Sequence, residues 1–306
     1  MKLRKRQTMR SVTLAVDGSE HSMRASEMAG LLSRVLEIPV DVITVVPRSI
    51  AIGAAELPDA TLRENDLLTS TGNQVVEKAS EIVSHAGGDV RTTEVLGGSP
   101  AREIVRRAED SGADWIVMGR RGLGGVKGLI RGSVSNKVAH MTSATLVTTH
   151  SEEIGISRIL LPVDGSDHAK KAADLSGVLS ARFNATVDVL HVVPEHEYIS
   201  PGLYRYIDDY VEIEQYYENR KAILKSQAGR LTIDAARQVE SMGGSVGEEE
   251  VVVGEPTEEI LEMARRVHAD AIVMGRRGLG DLGGLVFGSV SHKVGQLTER
   301  TLITTE

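Results

Sequence analysis

The residues of this chain best suited to chemistry are glycines at a fixed spacing that occurs twice. Each set has a glycine, two arginines and a glycine and, after nine further residues, Gly-Ser-Val. Glycine lets the backbone approach a ligand closely, and the N–H groups that start a helix favour phosphate. The spacing therefore predicts a nucleotide-phosphate cradle in each set. The members are Gly119, Arg120, Arg121, Gly122, Gly132, Ser133 and Val134, and then Gly275, Arg276, Arg277, Gly278, Gly288, Ser289 and Val290.

Three alternative interpretations of these glycines fit less well or stay open. A P-loop needs Gly-Lys before Ser or Thr, but Lys127 is followed by Gly128 and Leu129. The stretch 278–283 matches G-x-G-x-x-G, yet Lys127 replaces its last glycine in the first set, so we interpret the match as accidental. A glycine-rich loop in which Ser133 is an ordinary helix N-cap remains an alternative.

A second cluster, Asp-Gly-Ser-x-His, also occurs twice, as Asp17, Ser19 and His21 and as Asp164, Ser166 and His168. Three residues so close together at a strand-to-helix turn do not form a catalytic relay, so we predict no catalytic residue and interpret the serines as helix caps. The histidines are either neutral surface imidazoles or contacts to phosphate or metal. No ligand spacing indicates a protein-only metal site. Mg²⁺ is expected to arrive with the nucleotide, with either aspartate as its candidate contact.

These clusters belong to a tandem duplication. The segment from Ser11 recurs from Arg158 at an offset of 147, and the segment from Ala113 recurs from Ala269 at an offset of 156, with 19 of 26 positions identical. We therefore predict two domains, 1–150 and 151–306, of which the second carries nine extra residues.

Within each copy, short apolar runs alternate with helical patterns. In the first copy, the predicted strands are 11–16, 40–46, 89–96, 114–119 and 145–149, and a long helix covers about 62–86. Such alternation indicates an α/β fold, with an open, doubly wound, five-stranded parallel sheet in each domain. Ligands of these sheets bind beyond the carboxyl ends of the strands, where both clusters fall.

Composition excludes several classes of function. The 35 lysines and arginines against 43 aspartates and glutamates give a net charge of −8, which disfavours a nucleic-acid partner. The chain has no cysteine, so it has neither disulfides nor a thiolate nucleophile. No stretch approaches the roughly 20 apolar residues of a membrane span, and the basic start has no apolar continuation. We therefore expect a cytoplasmic protein without a membrane partner.

The sequence VDGS after strand one, and MGRRG with GSVS after strand four, occur in both copies and resemble the universal stress protein family in its tandem form. The resemblance covers nearly the whole of both copies. It implies a Rossmann-like fold of the adenine nucleotide alpha hydrolase-like kind, with the two domains paired as a pseudo-dimer. The glycine spacing is that of the family's ATP-binding branch, which implies ATP, or ADP or AMP, with Mg²⁺. By the same likeness, the residues near adenine and ribose are Ala15, Asp17 and Val45, and in the second copy Pro162, Asp164 and Val192.

The resemblance implies a nucleotide-dependent sensor or regulator in the stress response. No evident general base accompanies the cradle, so we expect at most slow ATP hydrolysis, driven by positioning and charge stabilisation. Two alternatives stay open: a weak ATPase, and a partner-binding scaffold that ignores nucleotides.

The two copies differ in charge and in aromatic content. Loop 119–132 carries four cationic residues, whereas loop 275–288 carries two arginines and one aspartate, so we expect the first site to prefer a triphosphate. Every tyrosine lies between Tyr198 and Tyr217, and Tyr206, Tyr210 and Tyr217 share one face of a predicted helix. This stripe either packs on its own sheet or serves self-association or a protein partner.

Overall fold

The structure is a computed structural model that describes residues 9–46, 58–120, 132–150, 154–194, 210–278 and 288–306. The chain forms two compact units, Met1–Gly155 and Ile156–Glu306. In each unit strands and helices alternate along the chain. The predicted α/β class is therefore confirmed.

The described part of the first unit contains alternating strands and helices. They are β1 (Val12–Val16), α1 (Glu20–Leu36), β2 (Val40–Val46), α2 (Pro58–His85), β3 (Val90–Gly97), α3 (Pro100–Ser111), β4 (Trp115–Gly119), α4 (Ser133–Met141) and β5 (Thr145–Thr149). Every residue of β1 is buried. Such fully buried strands are typical of a parallel sheet that helices cover on both faces.

The strands of the first unit pair in parallel, in the order β3-β2-β1-β4-β5. The chain first adds β2 and β3 on one side of β1 and then adds β4 and β5 on the other side. Because crossovers between parallel strands are right-handed, this change of side places α3 and α4 on the face opposite α1 and α2. The packing agrees, because α1 contacts α2 and α3 contacts α4. The switch point of this sheet therefore lies between the carboxyl ends of β1 and β4.

The second unit repeats this arrangement. Its described elements are β6 (Arg158–Pro162), α5 (Asp167–Phe183), β7 (Thr186–Pro194), α6 (Tyr210–Ser241), β8 (Ser245–Gly254), α7 (Pro256–Arg266), β9 (Ala271–Gly275), α8 (Ser289–Leu297) and β10 (Thr301–Thr305). The strands pair in the order β10-β9-β6-β7-β8, again in parallel. The switch point of this unit lies between β6 and β9.

Both cores are built from aliphatic side chains. In the second unit, Leu160 and Ile272 on the strands and Met263 on α7 belong to one buried cluster. In the first unit, the single tryptophan of the chain, Trp115, is 1% exposed on β4. Trp115 is therefore a fluorescent reporter of the first unit alone.

The tyrosine-rich region is only partly described. Tyr198, Tyr204 and Tyr206 lie outside the described residues, and Tyr216, on α6, is 39% exposed. A surface for self-association or a protein partner in this region stays a prediction.

Among the helices that the structure describes, none combines the length and the apolar character that crossing a bilayer requires.

Candidate functional site

The fourth strand of each unit ends in a glycine that touches the start of a helix. A Cβ on Gly119 would lie 2.7 Å from the carbonyl carbon of His21, and one on Gly275 would lie 2.7 Å from that of His168. A side chain at either position would collide with the backbone of α1 or α5. The two glycines therefore allow a strand end and a helix start to meet at the switch point.

The next helix begins at the same strand end, on the other face of the sheet. The N–H of Gly132 donates to the carbonyl of Arg120 at 3.0 Å, and the N–H of Gly288 donates to that of Arg276 at 2.8 Å. These bonds hold the first turns of α4 and α8 beside β4 and β9. Each switch point is thus bordered by two helix starts, one from each face of the sheet.

The helices α4 and α8 begin without a capping side chain. Gly132 and Gly288 occupy the N-cap positions, and Ser133 and Ser289 are the first helical residues. Ser133 is therefore not an N-cap, and that part of the alternative interpretation is wrong. Because glycine has no side chain to cap the first turn, the N–H groups there retain the capacity to bind an anion, which the helix dipole favours.

Two serines that the sequence analysis did not identify complete these helix starts. Ser135 Oγ lies 3.2 Å from the carbonyl oxygen of Arg120, and Ser291 Oγ lies 2.8 Å from that of Arg276. Both hydroxyls donate towards the strand end and so fix the turn that follows the N-cap glycine. The second serine of GSVS, present in both copies, was the signal for them.

The carboxylates after the first strand of each unit are oriented by their own turns. Asp17 Oδ1 accepts from the N–H and Oγ of Ser19, at 3.0 and 2.6 Å, and Asp164 Oδ1 accepts from the N–H of Ser166 at 3.0 Å. In the second unit, a Cβ on Gly278 would overlap Oδ2 of Asp164. The structure therefore brings Asp164 and Gly278, which come from different motifs, into contact.

The arginines beside the glycines lie in different environments. The side chains of Arg120 and Arg276 are buried, with 6% and 1% of each residue exposed. Burial lowers the pKa of Arg276. Arg277 is half-buried, and its guanidinium lies 4.0 Å from the Glu306 carboxylate. Arg120 and Arg276 thus border the site through their main-chain carbonyl groups.

The residues expected near adenine lie at the ends of the first and second strands. Ala15 and Pro162 are buried, and Val45 is half-buried. Val192 packs into the aliphatic cluster of the second unit. Val192 is therefore placed to meet a ligand with its backbone rather than its side chain.

The remaining predicted residues fall at the helix starts or in the glycine loop. Val134 and Val290 are half-buried in the first turns of α4 and α8. Arg121 and Gly122 lie outside the described residues.

The serines of the Asp-Gly-Ser motif act as helix caps. Ser19 Oγ donates to Asp17 and accepts from the N–H of Ser22 at 3.3 Å, and Ser166 Oγ accepts from the N–H of Ala169 at 3.1 Å. The predicted caps are confirmed, and the cap bonds engage the Ser19 hydroxyl within its own turn. Within the described ranges, no three metal-ligating side chains form a group that could hold an ion.

Two tandem parallel α/β units, each with helix starts meeting a glycine strand end, define the class of this protein. The family model of universal stress proteins matches residues 8–150 and again residues 155–302. The chain belongs to the universal stress protein family, in its tandem form.

Some universal stress proteins match nearly the whole chain, and others match about half of it. Universal stress protein Rv1996 of Mycobacterium tuberculosis is 26% identical over 306 residues, which cover 94% of this chain and 92% of that protein. The crystal structure of a universal stress protein from Archaeoglobus fulgidus covers 97% of this chain and 96% of its own, with a TM-score of 0.69 and 20% identity, and so shows the shared fold. A universal stress protein solved in complex with cAMP is 26% identical over 46% of this chain and 97% of its own, with a TM-score of 0.33.

Proposed function

We propose that each unit binds an adenine nucleotide, with ATP as the principal ligand, at the carboxyl ends of its strands. In this proposal the protein is a nucleotide-dependent sensor or regulator in the stress response rather than an efficient enzyme. Asp17 and Asp164 serve the adenosine side of the ligand, and the glycine strand ends with α4 and α8 serve the phosphates.

The observation that carries the proposal is the pair of uncapped helix starts at glycine strand ends. Gly132 and Gly288 are held against the strand ends by bonds to arginine carbonyls, and their helices point N–H groups and dipoles at that place. The arrangement is present in both units, in the sheet position where ligands of doubly wound folds bind. A phosphate there would satisfy donors that have no partner within the helix.

In our proposal, each site hydrolyses ATP slowly at most. Phosphoryl transfer needs positioning and charge stabilisation, which the helix starts and a nucleotide-borne Mg²⁺ supply. Efficient turnover also needs a group that orients the attacking water, and the capping Ser19 has no such role.

Replacing the N-cap glycines tests the proposal. A Cβ on Gly288 would lie 3.2 Å from the Arg276 carbonyl oxygen and 3.4 Å from the Cα of Arg277, so Gly288→Val crowds the cradle. We expect titration calorimetry with Mg-ATP to give two sites per chain for the original protein. Gly132→Val and Gly288→Val should each leave one site.

Gly229→Val is the matched control, because a Cβ on Gly229 meets no atom within 4 Å. It should retain both sites. Two sites in each of the N-cap variants would contradict the assignment of the cradle. No binding of ATP or AMP by the original protein, with no nucleotide found by mass spectrometry after purification, would favour the partner-binding scaffold instead.

A further inference from the structure

His168 stands at the switch point of the second unit. It is the second residue of α5, half-buried, and a Cβ on Gly275 would lie 2.7 Å from the His168 Cβ. Its side chain therefore leaves α5 against the end of β9. Among the described residues, none forms a hydrogen bond with the imidazole of His168.

The start of α8 reaches the same strand end from the other face of the sheet. Gly288 N–H donates to the carbonyl of Arg276, which directly follows the last residue of β9. The strand end thus has the uncapped N–H groups of α8 on one side and the His168 side chain on the other. A chain of phosphates at the strand end would run between them.

The charged side chains near His168 are either paired or buried, so the imidazole is a candidate phosphate ligand. The carboxylate of Asp167 accepts from Lys170 Nζ at 2.8 Å, so its charge is compensated locally. The guanidinium of Arg276 is buried, with 1% of the residue exposed. Imidazole donates one hydrogen bond when neutral and two when protonated, and a donor is what a phosphate oxygen needs.

We propose that His168, and His21 in the first unit, contact the phosphate chain and give each site its preference for nucleotides with more than one phosphate. The inference rests on the proposed nucleotide binding and adds a specificity-determining residue on the α1 and α5 side of the switch point. His21 holds the matching position, because it is the second residue of α1 and its backbone touches Gly119. A single phosphate held by the α4 or α8 start does not require the imidazole, whereas a longer chain reaches it.

The test uses the full chain with one site disabled. In the Gly132→Val background, His168→Ala, which removes the side-chain donor, should raise the Kd for Mg-ATP about tenfold, the effect of one lost hydrogen bond to a charged group. The Kd for AMP should change less than about twofold. His168→Lys, which supplies a donor and a charge, should restore the preference for ATP. His268→Asn is the control in the same unit, because His268 is exposed just after α7 and asparagine tolerates its φ of 52°.

The outcomes separate this inference from the proposed function. Equal losses for ATP and AMP in His168→Ala would mean a structural role at the start of α5, and no change for either would remove the histidine from the site. Both results overturn the inference while nucleotide binding stands. If the Gly132→Val chain binds neither nucleotide, the proposed function fails at this site and the inference fails with it.

Discussion

A buried carboxylate in the second strand of each unit shows how single residues were rearranged after duplication. Asp41 accepts from Arg91 Nε at 2.9 Å and from Thr92 Oγ1 at 2.8 Å, both on β3. Asp188, its counterpart, accepts from Arg158 Nε at 2.6 Å, on β6. Both copies keep the aspartate at the same position, but its arginine partner differs. Arg91 lies on the third strand of the first unit, whereas Arg158 lies on the first strand of the second unit.

The Asp41 pair predicts how the first unit responds to acid. Burial alone would raise the pKa of Asp41, but hydrogen bonds from Arg91 and Thr92 and the charge of Arg91 outweigh it and lower the pKa. A carboxylate whose pKa is lower in the folded state stabilises that state at any pH above its unfolded pKa, which is about 3.9. This stabilisation is lost as the pH falls through the folded pKa. Asp41→Asn should therefore cost about 1–3 kcal/mol at neutral pH. The gap from the original protein should shrink as pH falls below about 4.

Urea unfolding followed by Trp115 fluorescence measures this effect, because Trp115 lies in the same unit. Asp110→Asn, in the same unit, is the control. The Asp110 carboxylate accepts from Arg106 at 2.9 Å, but its side chain is 59% exposed, so the variant should change stability little. A gap between Asp41→Asn and the original protein that stays constant with pH would contradict the assigned role of the ion pair.

At the scale of elements, glycines let the paired helices of each unit cross closely. A Cβ on Gly30 of α1 would lie 2.6 Å from the carbonyl oxygen of Val83 and 2.7 Å from the Cβ of Ala86, at the end of α2. Gly177 of α5 has the same relation to the carbonyl oxygen of Val239, at 2.6 Å. The helix pair is thus set by backbone approach, which hydrophobic periodicity does not reveal.

The close crossing predicts that Gly30→Ala destabilises the protein although alanine is the better helix former. The overlap forces α1 and α2 apart, and overpacking of this kind costs about 1–3 kcal/mol, more than the ~1 kcal/mol gained from helix propensity. Urea unfolding followed by circular dichroism should show the loss. Gly229→Ala, with open space around its Cβ, should be neutral or stabilising. Equal stabilisation by both substitutions would disprove the close contact.

At the scale of the whole molecule, duplication gave two candidate sites with unequal charge. Loop 119–132 contains four cationic residues, whereas loop 275–288 contains two and an aspartate. The helix starts that follow these loops have the same geometry, since the N–H of Gly132 and of Gly288 each bond an arginine carbonyl. The difference between the sites is therefore electrostatic in our proposal.

We expect the first site to bind ATP about tenfold more tightly than the second. Loop 119–132 carries three more units of net positive charge than loop 275–288, and in water a unit charge at about 8–10 Å contributes about 0.5 kcal/mol to phosphate binding. Calorimetry of Gly288→Val, which keeps the first site, and of Gly132→Val, which keeps the second, measures the ratio. High salt should bring the two affinities together, because it screens charges at this distance. Equal affinities at low salt would contradict the prediction.

Much of the fold and part of the candidate site follow from local sequence. The strand and helix order, the caps at Ser19 and Ser166 and the helix start after Gly132 depend on residues a few positions apart. The burial of Arg120 and Arg276 was not predicted, because their type and spacing indicate phosphate ligands while their exposure depends on distant packing.

By itself, the sequence determined the duplication, the alternating α/β elements and the glycines at the strand ends, since these are properties of adjacent residues and periodic patterns. Only the tertiary structure decided which groups meet. Asp164 touches Gly278, and the Asp270 carboxylate accepts from Ser157, 113 positions away in the chain. The structure likewise set the His168 side chain against the end of β9. Contacts between distant residues depend on strand order and on how closely helices approach, and no local pattern encodes either.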